Sequence, residues 1–407
     1  MKATLCSAVL LGLFLVLGCA QESQPSPKDT PQSAKKAQSS QPPSPKKKKA
    51  PSTTTTTKLE LPAASRVFTA DLDGDGFHEV LGARGKTLWA YQIHKSGGIS
   101  KLWEIEGEGT THRVVIAQGA EPKSRRLYVA RGVGRGMLGA PLLLQSVVPM
   151  SGLATEVFKR SGERNEPAHL SVADVDRDGA DELAFAYYQS KYMVVTRHFE
   201  LSDLQAPPSG KSPPSAVGKE MRMATSRLYA DVNGAGGGDE VIGRVYGDAR
   251  GLPGDLKVDL GQGYVTVPTD NGVRGLAAAS VVKGEAPSIF YADGWVANYG
   301  KSAKATLKRL SWTANGFSSE VVGQSKDEFT FFDLTPVDLD GDGREAVAAR
   351  GNKRMTIFEL KEGRWRQWTA ATYEPVINVA IGQGGDGLWR VFVPGEAGVR
   401  GEVVKRP

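Results

Sequence analysis

Four short segments of the sequence carry acidic residues at alternate positions, interspersed with glycine. They span residues 71–80, 174–183, 231–241 and 338–347. The first segment has acids at positions 1, 3, 5 and 9 and glycine at position 6. These residues are Asp71, Asp73, Asp75, Glu79 and Gly76. Hard divalent cations take about six to eight oxygen ligands, and a tight loop can turn alternate carboxylates towards one point. The pattern therefore predicts cation binding.

Without a cation, the acids of the first loop would repel one another through several interactions of about 1 kcal/mol each. Calcium would remove this repulsion, and the backbone carbonyl groups of Phe77 and Ala180 would supply a further oxygen in the first and second loops. Position 12 counted from Asp71 is Gly82, and the flanking residues alternate like strands, which excludes an EF-hand. An acidic hairpin turn without metal is the alternative.

The four segments resemble the FG-GAP and VCBS-type repeats of integrin alpha-subunit β-propellers and their bacterial relatives. In that family the loops hold structural calcium within a blade, so the resemblance implies two Ca2+ sites and a weaker third one. The first site would use Asp71, Asp73, Asp75, the Phe77 carbonyl and Glu79. The second site would use Asp174, Asp176, Asp178, the Ala180 carbonyl and Glu182.

The third candidate loop departs from this pattern by one position. It keeps Asp338, Asp340 and Asp342, but Glu345 stands at position 8 and Ala346 at position 9. We expect a weaker site that uses the three aspartates and Glu345.

The Asp231 loop departs further. Position 3 is Asn233, position 5 is Ala235, and alignment with Glu240 requires one extra residue. This loop is expected to keep the turn and to have lost the metal.

The spacing of the four loops predicts seven repeats. Asp71 and Asp174 are 103 residues apart, Asp174 and Asp231 are 57 apart, and Asp231 and Asp338 are 107 apart. Two gaps are thus close to twice the third, and repeats without the acids fit residues 114–130, 276–292 and 379–393. Units of about fifty residues with room for about four short strands are typical of propeller blades. We therefore predict an all-β fold, a seven-bladed β-propeller over residues 61–407 with calcium-binding hairpin loops.

The repeats and the remaining strands can be placed along the chain. The seven units are anchored near Ala70, Ala117, Ala173, Ala230, Ala278, Val337 and Ala380. Further strands are predicted over residues 88–93, 193–198, 265–267 and 355–360. Together these elements leave no room for a second domain.

The start of the chain predicts a lipoprotein. A basic first pair of residues and an apolar run over residues 8–17 are typical of a signal peptide. The run ends in Val16-Leu17-Gly18-Cys19, which resembles the lipobox of bacterial lipoproteins. We expect a signal peptide over residues 1–18 and a lipid on Cys19; an ordinary secretory signal is the alternative. The protein would then bind a membrane through this lipid and lie in the bacterial cell envelope. Ala20, in the position after the cysteine, favours the outer membrane.

Residues 19–60 are rich in Ser, Pro, Lys and Thr and should form a disordered tether. The first sixty residues hold nine Lys and three acids, whereas the rest has 42 basic and 42 acidic residues. The net charge of +6 therefore belongs to the tail. Because the folded part is neutral overall, no nucleic-acid partner is expected.

No set of catalytic residues is evident. The five histidines form neither HExxH nor a metal-ligand pair, and no GxSxG elbow exists. His78 is expected to face solvent. The GxGxxG match over residues 134–139 lacks a surrounding βαβ unit and is interpreted as a connection between strands. The tryptophans, Trp365 and Trp368 among them, could stack on sugars, but packing within blades is the expected role.

We therefore expect a non-enzymatic binding, adhesion or scaffold module at the cell envelope, engaging an envelope protein or glycan. The alternative is a polysaccharide lyase or hydrolase on the same scaffold. Two unassigned carboxylates in a cleft, or a His and a Lys over a polar pocket, would favour the enzyme.

Overall fold

The computed structural model describes most of residues 59–407. The ranges left out are 119–124, 134–140, 163–164, 175–180, 190–192, 206–215, 218–220, 236–237, 246–253, 295–303 and 314–315, with the single positions 223, 262, 326 and 329. The predicted signal peptide, Cys19 and nearly all of the tether lie outside the described residues. So do Asp176, Asp178 and Ala180 of the second loop and the 134–139 match.

The described chain forms seven antiparallel sheets, and six of them are built from consecutive strands. A short strand, β1 (Glu60–Leu61), precedes them. Blade 1 contains β2 (Arg66–Ala70), β3 (Glu79–Arg84), β4 (Thr87–Ile93) and β5 (Ile99–Glu106). Blade 2 contains β6 (Thr110–Ala117), β7 (Arg126–Gly132), β8 (Leu142–Val147) and β9 (Ala154–Arg160). Blade 3 contains β10 (Pro167–Ala173), β11 (Glu182–Tyr188), β12 (Met193–Glu200), β13 (Ala216–Val217) and β14 (Met221–Arg222), with the helix α1 (Leu201–Gln205) after β12.

The remaining blades follow the same order. Blade 4 contains β15 (Ala224–Ala230), β16 (Asp239–Arg244), β17 (Asp255–Asp259) and β18 (Tyr264–Pro268). Blade 5 contains β19 (Val273–Ala279), β20 (Ser288–Asp293), β21 (Ala305–Thr313) and β22 (Gly316–Ser325). Blade 6 contains β23 (Asp333–Val337), β24 (Ala346–Arg350), β25 (Arg354–Lys361) and β26 (Arg364–Thr372). Blade 7 contains β27 (Ala380–Gln383), β28 (Trp389–Val393) and β29 (Val399–Val403).

The fourth strand of blade 7 comes from the other end of the chain. β1 pairs antiparallel with β29, with Glu60 opposite Arg400 and Leu61 opposite Val399. Leu59 and Leu61 are each only 4% exposed and join a buried cluster that contains Phe392. The first strand thus closes the ring, and the β-structure begins at Glu60, one residue before the predicted boundary.

The hydrophobic core lies between neighbouring blades. Tyr128 of blade 2 packs with Phe185 and Phe199 of blade 3 in one cluster. Phe290 of blade 5 shares another cluster with Phe358 of blade 6. Each side chain buried in this way contributes about 1.5–3 kcal/mol. Since a blade is covered only by its neighbours, this packing explains why the repeats must close into a ring.

The predicted all-β, seven-bladed propeller is confirmed. Five of the seven anchors are the last residue of a first strand, and Ala278 is one residue short of its end. Ala380 instead marks the start of β27. The strands predicted over residues 88–93, 193–198, 265–267 and 355–360 are β4, β12, β18 and β25. Within the part of the chain that the structure describes, no helix has the length and apolarity to cross a membrane.

Candidate metal centres and the central pocket

The first acidic loop joins β2 to β3 and brings three of its predicted ligands together. One carboxylate oxygen each from Asp71, Asp73 and Glu79 lies within 4.8 Å of the others, so the group could hold a metal ion. Asp75 is not part of this group, and its Oδ1 accepts the Phe77 backbone N–H at 2.8 Å. The Phe77 carbonyl as a ligand stays a prediction.

Asp71 and two glycines shape the loop. The Asp71 carboxylate accepts the backbone N–H groups of Gly74 at 2.7 Å and Gly76 at 3.2 Å. These glycines have φ values of 85° and 87°, which side chains with a Cβ rarely adopt. The chain therefore bends sharply at both Gly74 and Gly76.

The carboxylates of this loop destabilise one another's charged forms. Glu79 is 2% exposed. Burial raises its pKa to about 7, with further contributions from Asp73, Asp75 and Asp71, although the Leu72 N–H donated to its Oε2 at 2.7 Å opposes the shift. Burial and the same neighbouring acids also raise the pKa of Asp73. A hard divalent cation would offset this repulsion, and the all-oxygen donor set fits such an ion.

A cation from the next blade already compensates part of this charge. The guanidinium of Arg125, in blade 2, lies 3.1 Å from Asp71 Oδ2 and donates to the Asp71 backbone carbonyl at 2.8 Å. One arginine therefore faces a loop that carries four acids.

The loop between β23 and β24 has the same backbone design. Oxygens of Asp338, Asp340 and Asp342 lie within 4.8 Å of one another, so this group could also hold a metal ion. Asp338 accepts the N–H groups of Gly341 at 2.8 Å and Gly343 at 2.9 Å, and both glycines have positive φ.

More of the charge is compensated in this loop than in the first. Arg344 forms an ion pair with Asp342, and Arg406 donates to Asp340 at 2.8 Å. Two arginines thus neutralise part of the charge of the three grouped acids. This loop therefore attracts a metal ion less strongly than the first loop does.

Glu345 lies away from the three grouped aspartates. Its Oε2 accepts the backbone N–H of Ser280 in blade 5 at 2.7 Å, and its own backbone N–H donates to the Ser280 carbonyl at 2.9 Å. The predicted ligand is therefore a bridge between blades. Since Val337 pairs with Ala346, the chain has no missing residue, and position 9 is simply occupied by Ala346.

His78 has the same role in the first loop. Its backbone N–H donates to the Gln383 carbonyl of blade 7 at 2.7 Å, and its Nδ1 accepts the Gln383 N–H at 3.3 Å. The ring is half-buried and lies 5.8 Å from that of Trp389. The prediction that His78 faces solvent was wrong because position 8 packs against the preceding blade.

The Asp231 loop, which joins β15 to β16, also needs no extra residue for the alignment. Asp239 pairs with Ala230 as Glu79 pairs with Ala70. Its Oδ2 accepts the Val232 N–H at 3.1 Å, as Glu79 does from Leu72. Asp239, not Glu240, is thus the acid at position 9. Among the described residues, no group of three clustered acids includes Asp231.

Only the ends of the second loop are described. The Asp174 carbonyl accepts the Gly238 N–H of blade 4 at 3.0 Å. Glu182 is 2% exposed and pairs with Ala173, the register that Glu79 has in blade 1. The grouping of Asp174 and Glu182 with the other predicted ligands stays a prediction.

A pocket at the centre of the ring was not predicted. It has a volume of about 490 Å³. Its lining includes one residue from every blade, in or just before the first strand of that blade. These residues are Arg66, Arg113, His169, Ser226, Gly275, Asp333 and Asn378. Counting back five positions from the four acidic loops finds four of them in the sequence: Arg66, His169, Ser226 and Asp333.

The tryptophans divide between packing and exposed positions. Trp89 and Trp103 are buried, and Trp365 and Trp368 are half-buried, with Trp365 packed edge-on against Phe290. Trp312 is 43% exposed. Packing in the core between blades is therefore the main role of the described tryptophans.

Comparison with protein-family models and with curated proteins found no match for this chain. Function must therefore be argued from the fold and from the geometry of these sites.

Proposed function

We propose that the protein is a calcium-stabilised β-propeller of the FG-GAP/VCBS type that acts as a non-enzymatic binding or scaffold module at the bacterial cell envelope. A lipid on Cys19 anchors it, and the segment up to residue 58 tethers the propeller to the membrane.

The first acidic loop carries this proposal. It groups Asp71, Asp73 and Glu79, and it also contacts both neighbouring blades: Arg125 of blade 2 donates to Asp71, and His78 donates to Gln383 of blade 7. A cation bound here would fix a loop that joins three blades. Calcium would therefore stabilise the ring and not only a surface turn.

The central pocket holds two carboxylates in one cleft, the feature that would favour an enzyme, but the protonation states of Asp333 and His169 favour binding over catalysis. It contains two carboxylates, Glu166 and Asp333, together with His169. Burial alone would raise the pKa of Asp333, but Arg350 and Arg113 outweigh it and hold that pKa below its ordinary value. Asp333 therefore stays ionised and is a poor general acid. Burial and Arg113 lower the pKa of His169 to about 3, which makes it a weak base.

Calcium dependence of stability tests the proposal. Free calcium at about ten times its Kd should stabilise the full chain by about 1.4 kcal/mol, and EDTA should reverse the gain. The measurement is the thermal unfolding midpoint with calcium and with EDTA. Asp73→Asn should reduce the response, because it removes a ligand of the first site. The control Glu396→Gln, at an exposed acid outside the loops, should keep it. An identical midpoint with calcium and EDTA would exclude structural calcium.

Membrane retention tests the anchor separately. Cys19→Ser removes the sulfur that would carry the lipid, so the protein should move from the membrane pellet to the soluble fraction on cell fractionation. Retention of the variant in the pellet after a detergent-free wash would contradict lipid anchoring.

A further inference from the structure

The central pocket has an excess of positive charge. Five arginines line it, from blades 1, 2, 4, 5 and 6, and they are Arg66, Arg113, Arg227, Arg274 and Arg350. Among the described residues, the acids in its lining are Glu166 and Asp333. With five positive and two negative groups the formal charge is +3, although the folded part of the chain is neutral overall.

Only part of this charge is paired within the pocket. Arg350 donates to Asp333 at 2.7 Å and stacks on the Phe332 ring at 4.7 Å. The surroundings of Arg66, by contrast, destabilise its charged form. Burial and repulsion from Arg113 lower its pKa to about 10, and Arg66 still stays charged at neutral pH. Its Nε has no hydrogen-bond acceptor among the described residues.

Arg227 offers a buried donor at the same place. The residue is 3% exposed, and its Nε lies 3.2 Å from Glu240 Oε1. Its second terminal nitrogen has no hydrogen-bond acceptor in the described part of the chain. A buried guanidinium donor without an acceptor is unfavourable, because water is lost and nothing replaces it. A ligand oxygen that reached this nitrogen would recover the loss.

We propose that the central pocket binds a compact organic anion that carries two or more carboxylate or phosphate groups. The planar, multiply donating guanidinium suits both groups and forms paired hydrogen bonds to them. A cavity of about 490 Å³ has the size of small-molecule sites, which run from about 300 to 1,000 Å³. The excess of three positive charges matches a dianion or trianion.

The site is separate from the acidic loops. The pocket lies near the start of the first, inner strand of each blade, whereas the acidic loops follow the ends of such strands. Five residues, or roughly 16 Å along an extended strand, separate the two positions. No acid of the two metal groups lines the pocket. The binding of an anion there and the binding of calcium can therefore fail independently.

Calorimetric titration of the full chain in calcium-free buffer tests the inference. Succinate and inorganic pyrophosphate serve as probes, each with two groups of one oxyanion type, and sodium chloride holds the ionic strength constant. The variants are Arg66→Gln and Arg113→Gln, and the control is Arg364→Gln on the exposed outer strand of blade 6. Circular dichroism spectra confirm that each variant is folded, and two pocket variants keep the test open if one of them is not.

We expect saturable binding of at least one probe, weakened at least tenfold by each folded pocket variant and unchanged in Arg364→Gln. Saturation by succinate alone would identify carboxylate groups, and saturation by pyrophosphate alone would identify phosphate groups. Added sodium chloride should weaken the affinity, since screening reduces charge attraction. The inference is overturned if neither probe saturates, or if the pocket variants bind as tightly as the unchanged protein.

Discussion

The buried acid at position 9 of a loop has a structural role that is separate from metal binding. Glu79 and Asp239 both stand at position 9, are buried, and accept the N–H of position 2 in their own loop. Asp239 keeps this bond although its loop has Asn233 and Ala235 where acids would be needed. The buried acid therefore shapes the loop whether or not a metal ion is bound. A pattern of carboxylates in a sequence cannot distinguish an acid that shapes its loop from an acid that binds a metal ion.

At the scale of single residues, His112 predicts a dependence of stability on pH. It is 5% exposed, and burial together with Arg66 and Arg113 lowers its pKa to about 3. In the unfolded chain a histidine has a pKa of about 6.5. As the pH falls below this value, the unfolded state takes up a proton that the folded state does not. Stability is therefore lost progressively between about pH 6.5 and pH 3.

At pH 5 this single residue should cost about 2 kcal/mol. Urea unfolding at pH 7 and pH 5 measures this effect. Between these two pH values, His112→Gln should lose about 2 kcal/mol less unfolding free energy than the unchanged protein loses. The matched control is His94→Gln, at an exposed histidine. An equal loss in His112→Gln and the unchanged protein would contradict the assignment of the effect to His112.

At the scale of elements, the loops after β2 and β23 also join one blade to the preceding one. His78 and Glu345 form the same two-way bridge, to Gln383 and Ser280, with backbone and side chain both engaged. The acidic loops gave the repeat period, so the sequence predicted where most inner strands end. It did not give the role of Glu345, because a shift of one position is settled only by strand pairing.

Two substitutions at Glu345 separate a bridge from a metal ligand. Glu345→Ala removes the acceptor of the Ser280 N–H and should cost about 1–2 kcal/mol of unfolding free energy. Glu345→Gln keeps an oxygen acceptor and should stay close to the unchanged protein. The measurement is urea unfolding with and without calcium. Both variants should keep the full calcium response. A reduced response in Glu345→Gln would instead make Glu345 a ligand.

At the scale of the whole molecule, ring closure creates features that no segment carries alone. The pocket collects residues from seven blades that are widely separated in sequence, so its charge is not visible in any single segment. The overall neutral charge of the fold conceals arginines at the start of the inner strands and acids after their ends. The strand that closes the ring was also missed, because a strand as short as Glu60–Leu61 leaves no periodic signal in the sequence.

The closing strand predicts a strong effect from two leucines at the edge of the tether. Leu59 and Leu61 are buried against blade 7, whereas Glu60 between them is exposed. Leu59→Ala with Leu61→Ala should cost at least about 4 kcal/mol, since each buried leucine lost typically costs about 2–5 kcal/mol. Glu60→Ala should stay within about 0.5 kcal/mol. Urea unfolding measures both, and hydrogen exchange should show faster exchange in β29 of the double variant, because this strand becomes the sheet edge. If the double variant unfolds like Glu60→Ala, the first strand does not hold the ring closed, and blade 7 must be stabilised by its neighbours alone.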